Sequence, residues 1–351
     1  MMLKSSLYEK KLKTPSLPPL KKFSCIFLFF LLSTVYTTIF QAHTVFAKSI
    51  RVTILKSSNI RNSPIKGLQD GLALHERAEG NTFIYEIKDA AGDRDKLPEL
   101  AAELIAEKPD VVIAAGGIEA DALLFASAGS SIPVVFLLAA SSVERKIVAS
   151  MASSGNNFTG IDTNDTKLMA KRLWFIRKMF PKARKLFCFH VPSIVPSVQS
   201  LAVARKSADE LGFELQVVEV ETQDDIIKAT AALSKSHIDV IFELPIAPIR
   251  KALKTIIFPK AMEEGIPVFG HDMTSIESGA IASYCGSQYN DGRQAARLVH
   301  KIVKGIAPKD IPIETPEKIE LIINKNIVER LGLHFTSRVW RIADQIVDIQ
   351  F

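Results

Sequence analysis

The stretch EKPDVVIAAGG, Glu107 to Gly117, is an apolar run that ends on two glycines, so the backbone at Gly116 and Gly117 can come close to another group. A phosphate loop would add further glycines and a Lys-Ser or Lys-Thr pair here. The chain continues GGIEADAL instead, and Glu119 would repel a phosphate. The pair therefore suits either a cleft lip, with Ile118 and Glu119 at the start of the next helix, or a plain tight turn. Other apolar runs end on small polar residues: LKSSN places Ser57, Ser58 and Asn59 after the first run, and AASS places Ala140 and Ser141 after a later one. Small hydroxyls and free backbone N–H groups at helix starts suit a carboxylate without burying a formal charge. Further on, HVPS carries His190 and Ser193, ELPIAP carries Pro245, and GHDM carries His271 and Asp272. His190 could donate to a ligand or act as a satisfied structural group, and Asp272 could meet a ligand or cap a helix. His271 and Asp272 do not form a metal pair, because neighbours on an extended segment point to opposite faces. Cys188 and Cys285 lack metal-ligand spacing, and the chain has no nucleophile elbow, no His-Glu-x-x-His and no dinucleotide fingerprint. No catalytic residue, metal ligand or cofactor is expected.

These residues sit at the ends of strands in a regular alternation. Strands are expected at 50–55, 82–90, 110–117 and 132–140, with helices at 65–78, 96–109 and 119–128 between them. Apolar runs of this length separated by helices imply a parallel sheet covered on both faces. Beyond a join near Thr159 to Asn164 the rhythm restarts, with helices at 166–181, 197–212, 223–236 and 249–265 and strands at 185–191, 213–220, 238–244 and 266–270. The segment from Ser278 adds a strand and a long helix, and KIELIINKN a late strand. Two α/β units in series follow.

The N-terminus is set apart. Six lysines precede FSCIFLFFLLSTVYTTIF, and VFA at Val45 to Ala47 fits a signal-peptidase site, so residues 1–47 read as an export signal, with an uncleaved anchor as the alternative. That segment holds six of the 44 Lys+Arg and one of the 38 Asp+Glu, which leaves the rest of the chain at +1. No positive field remains to attract nucleic acid. Two cysteines beyond it are too few for a disulfide framework and read as buried thiols.

The stretches EKPDVVIAAGG, IPVVFLL, GNNFTGI, ADELGFEL, GIPVFG, GAIASYCGSQYNDGRQAARLVHKIVKG and IPIETPEKIELIINKNIVERLGL resemble, in order and spacing, those of the periplasmic substrate-binding proteins of ABC transporters. The nearest branch is the tryptophan/tyrosine type, whose members bind aromatic and other amino acids. The resemblance implies two doubly wound parallel-sheet lobes joined by a three-segment hinge, the type I architecture. The first lobe would comprise residues 48–160 plus 287–310 and the second 161–286 plus 311–351, with crossings near Gly160 to Asn164, Cys285 to Ser287 and Lys309 to Ile313. It also implies ligand contacts at the strand ends already named. Asp272 would meet a ligand amine, and Tyr289 would stack on ligand or brace the hinge. Relatives often carry an Asp-Pro step where this chain has Ser141-Ser142, and a hydroxyl-rich strand end where it has Pro245, Ile246 and Ala247. The second-lobe wall should thus be less polar.

The expected function is an exported, monomeric, non-enzymatic receptor that closes on a small organic ligand, an amino acid or related carboxylate, and delivers it to an ABC transporter permease. A ligand-sensing module for a membrane signalling partner and an exported enzyme are the alternatives from other classes.

Overall fold

The computed structural model describes residues 48–245 and 252–351; residues 1–47, expected to be an export signal, and Ile246 and Ala247 lie outside them. Strands β1 (Ser49–Lys56), β2 (Thr82–Asp89), β3 (Val111–Ala114), β4 (Val134–Ala139) and β5 (Phe158–Asp162) form one parallel sheet in the order β2-β1-β3-β4-β5. The segment around Thr159, read as a join, is thus largely a fifth strand, and each of its residues is buried. Side chains alternate between two cores, as the strand period requires. Ile50, Val52, Ile54 and Ile113 share one with helix α1 (Asn62–Glu79). Leu55, Val112 and Ala114 share the other with α2 (Leu97–Ala106) and α3 (Gly117–Ala126).

The second sheet repeats the plan. Strands β6 (Lys185–His190), β7 (Glu214–Glu219), β8 (Val240–Phe242), β9 (Val268–Gly270) and β10 (Ala282–Gly286) run parallel in the order β7-β6-β8-β9-β10, the same winding as in the first sheet. Strand β11 (Ile319–Asn324) adds antiparallel to β10, and β12 (Gln345–Val347) adds parallel to β11. Helices α4 (Asp165–Met179), α5 (Val195–Leu211) and α6 (Gln223–Ala231) cover this sheet, followed by α7 (Phe258–Glu263) and the single-turn α8 (Met273–Glu277). The helix expected at 223–236 stops at Ala231, and Leu233 turns in to the core. In both sheets the winding reverses beside the first strand, which opens a crevice at the carboxyl ends of β1 and β3 and of β6 and β8.

Helix α9 (Gln288–Val303) follows β10 directly and packs on the first sheet's side, against α1. The two helices meet backbone to backbone: a Cβ on Gly67 would lie 1.9 Å from the Tyr289 carbonyl oxygen, and one on Gly292 would lie 2.0 Å from that of Pro64. Glycine at both positions permits this contact. The chain then passes Ile311, which accepts from Thr159 Oγ1 at 3.1 Å, and Glu314, which bridges Ile161, before reaching β11. Helices α10 (Lys325–Arg330) and α11 (Ser337–Ile342) complete the second half.

Candidate functional site

A cleft of about 460 Å³ opens where the carboxyl ends of the two sheets face each other. Its first wall is built from the β1 and β3 ends. Glu119, in the first turn of α3, is fully buried, and its Oε1 accepts from the Ser57 backbone N–H at 2.9 Å and from Arg61 Nε at 3.1 Å. The guanidinium of Arg61 lies where a Cβ on Gly116 would be, 2.3 Å from its Cζ, and Arg145 occupies the same place at Gly117, 2.2 Å from Nη1. The glycine pair is therefore a lip cut back to admit two arginines. Arg145 in turn pairs with Asp121 of α3. A guanidinium has five N–H donors, so each arginine keeps donors beyond those its carboxylate takes. Apolar Leu124, Phe125 and Leu138 continue this wall, and Phe125 is 81% exposed.

The opposite wall comes from the β6, β8 and β9 ends. Ile194, Val195, Pro196 and Pro245 line it, with Ser193, His271 and Asp272 as polar members. Ser193 Oγ donates to Glu221 at 2.8 Å. Asp272 is the N-cap of α8: its Oδ1 accepts from the Ser275 N–H at 3.0 Å, and its Oδ2 lies 3.6 Å from His271 Nε2. His271 Nδ1 is 3.1 Å from the buried Glu243, which also accepts from Ser275 Oγ. At the cleft base, Asp165 accepts from Thr163 Oγ1 at 2.7 Å and pairs with Arg172, a fully buried guanidinium that also donates to the His271 and Tyr284 carbonyls. Asp291, in the first turn of α9, shares this base and is 3% exposed. Burial, and secondarily the nearby Asp165 carboxylate, push its pKa up to about 7.

The strand-end residues are not all brought together. Gly117, Ile118, Ala140, Ser193, Pro245 and Asp272 line the cleft. Ser57, Gly116 and Glu119 stand behind its lip. Ser58 precedes the short turn leading to Arg61, and Asn59 accepts from Lys56 Nζ at 3.2 Å and borders a smaller cavity of about 280 Å³. Ser141 holds a left-handed φ of 55° and hydrogen bonds to Thr166 across the crossing at 3.1 Å. His190 is buried against Ser197 Oγ at 2.8 Å, and burial lowers its pKa. Tyr289 borders the smaller cavity and donates to Asp70 at 2.8 Å. Arg61, Arg145, Asp165 and Asp291 are not among the strand-end residues, and the two arginines reach the cleft from several residues further along the chain. The acid in QYNDG, one residue before the glycine at which α9 meets α1, was the available signal for Asp291.

Two like-wound sheets facing one cleft are matched by sequence. The family model for ABC transporter substrate binding proteins matches residues 49–347. The chain belongs to that family. A curated relative, a tyrosine-binding protein of Clostridioides difficile, is 25% identical over 291 residues, which are 83% of this chain and 82% of the relative. A conserved domain protein of Vibrio cholerae superposes with a TM-score of 0.74 at 25% identity, covering 86% of this chain and 99% of that one. The ABC domain in complex with L-Trp from Streptococcus pneumonia superposes at 0.76 with 20% identity, covering 86% and 100%. The binding protein therefore has the two-lobed type I periplasmic binding protein fold. Among its described residues no helix is long and apolar enough to cross a membrane, and no cluster of His, Cys, Asp or Glu could hold a metal ion.

Proposed function

We propose that this binding protein is an exported receptor that closes on an amino acid with an apolar, aromatic side chain and delivers it to a membrane permease. One observation carries the reading: charge is segregated across the cleft. The lining arginines, Arg61, Arg94 and Arg145, all belong to the first wall, with Asp121 as the lining carboxylate there, whereas the second wall and the base carry the carboxylates of Asp165, Asp272 and Asp291 and no lining arginine, and apolar side chains fill both walls between them. A zwitterion with an apolar body fits that pattern. Its acid group would meet the arginines and the backbone at Gly117, and its amine the acidic side. The tyrosine-binding relative and the L-Trp complex support the class.

Closure would bring residues 48–160 plus 287–310 against 161–286 plus 311–351. Phe125 at 81% and Val195 at 37% exposure line the same cleft, and covering an aromatic or aliphatic side chain of this size contributes roughly 1.5–3 kcal/mol. Ligand that touches both walls shifts the open–closed equilibrium by its preference for the closed form. Pro245 and its apolar neighbours would leave sugar hydroxyls unpaired, at about 1–3 kcal/mol each.

Isothermal titration of protein lacking residues 1–47 tests the reading against L-tyrosine, L-tryptophan, L-phenylalanine, tyramine and glucose. The amino acids should bind and displace one another, tyramine should bind weakly for want of the acid group, and glucose should give no heat. Tight glucose binding with no response to any amino acid would sink it.

A further inference from the structure

Asp291 differs from every other acid at the cleft. Asp121 pairs with Arg145, Asp165 with Arg172, Glu119 with Arg61 and Ser57, and Asp272 caps α8. Among the described residues Asp291 has no hydrogen bond or ion pair from its carboxylate, although it is 3% exposed and lines the cleft. Its surroundings explain why. On the strand side stands Gly286, where a Cβ would lie 3.2 Å from Asp291 Oδ2 and 2.9 Å from Pro316 Cβ, so a side chain there would crowd the carboxylate. On the helix side the atoms nearest the adjoining Gly292 are the backbone of Pro64 and Leu68 in α1. The remaining titratable and charged groups lining the cleft are Asp165 from α4, Cys285 from β10, His271 and Asp272 after β9, and Arg61, Arg94, Asp121 and Arg145 from the first wall. Arg61 and Arg145 already hold carboxylates of α3.

A carboxylate that is 3% exposed and opens only into the cleft, with no protein partner, is costly to ionise, and either a proton or a bound cation relieves the cost. We infer that Asp291 is the counter-ion for the ligand's ammonium group, and that binding exchanges a proton on this carboxyl for that ammonium. The step balances: a protonated Asp291 and R–NH₃⁺ give the carboxylate–ammonium pair and one proton released to solvent. The raised pKa of Asp291, about 7, places this exchange near neutrality. The inference rests on the amino-acid reading above and assigns the amine to the hinge rather than to the α8 cap.

The test compares wild type with Asp291→Asn, titrated with L-tyrosine and L-tryptophan and with their deaminated counterparts, 3-(4-hydroxyphenyl)propionate and indole-3-propionate. In wild type at pH 7, titration in buffers of different ionisation enthalpy should show release of about half a proton per amino acid bound, since a group at its pKa is half protonated. The asparagine variant should release none. It should bind the amino acids about tenfold or more weakly at pH 8, as loss of a charged hydrogen-bond partner demands. Its affinity for the deaminated acids should stay within about twofold of wild type. Unchanged amino-acid affinity in the variant, or equal loss for amino acids and deaminated acids, would overturn the assignment. The proton count needs only wild type, so a variant that fails to fold leaves the inference open to refutation by the absence of proton release. Wild type that binds the amino acids without releasing a proton refutes this inference alone, and wild type that binds no amino acid refutes the amino-acid reading itself.

Discussion

Glu119→Ala removes the carboxylate on which the first wall of the cleft is assembled. In the native protein that fully buried group accepts from the Ser57 N–H at 2.9 Å and from Arg61 Nε at 3.1 Å. Without it the buried Ser57 donor is unpaired, which costs about 1–3 kcal/mol. Arg61 loses its counter-charge; breaking a buried ion pair costs about 3–5 kcal/mol, and because the Arg61 side chain is 13% exposed and can turn toward cleft water, the low end applies. Together these reach about 5 kcal/mol, a fall in Tm of roughly 10 °C for a chain of this length. Glu119→Gln keeps an acceptor for Ser57 and should recover roughly 2 kcal/mol of that loss. Pairing it with Arg61→Met, which removes the stranded cation, should recover most of the rest. Calorimetric melting of the three ligand-free variants reads all of these shifts. If alanine and glutamine both melt within about 1 °C of wild type, about what 0.5 kcal/mol produces, the buried carboxylate does not organise the lip and the reasoning fails.

Asp272→Ala should lower ligand-free stability by about 1 kcal/mol through loss of the α8 cap, while Asp272→Asn, an equally good cap, should melt with wild type. A large affinity loss in the asparagine variant at unchanged Tm would show instead that the charge of Asp272 meets the ligand. Cys188 and Cys285 are buried, unpaired thiols, each with its pKa pushed up to about 12 by burial. Below that pH they hold little thiolate, so Ellman labelling of protein lacking residues 1–47 should be very slow when folded and count two groups once unfolded; rapid native labelling would contradict the burial. Protein recovered from the exported fraction should have an intact mass that begins at Lys48, and a membrane-bound mass retaining residues 1–47 would establish an anchor instead.

The alternation of strand and helix was legible in the sequence because it depends on local features. Four-residue apolar runs such as VVIA in β3 can only be buried on both faces, and Gly212 takes the left-handed φ of 69° that ends α5 where ADELG stops being periodic. Strand β5 is not evident in the sequence because FTGID is short, contains a glycine and gains its strand character from pairing with β4. The strand-end loops were also legible, since a carboxyl-end crevice follows from a parallel sheet. Which of their residues face the ligand was not. Ser57 and Glu119 lie 62 residues apart, and only the packing of α3 beside β1 turns a carboxylate expected at the lip inward beneath it. Asp291 reads in sequence as an ordinary acid in a helix's first turn, where the helix dipole welcomes negative charge. Its isolation depends on α1 lying against α9, a contact between segments more than 200 residues apart, and on the turn that brings Gly286 of β10 beside it. Strand period and turn chemistry belong to neighbouring residues and so were set by the sequence alone. Burial and partnership of charge belong to the assembled walls, and only the tertiary structure decided which acid of the cleft is left to meet a cation.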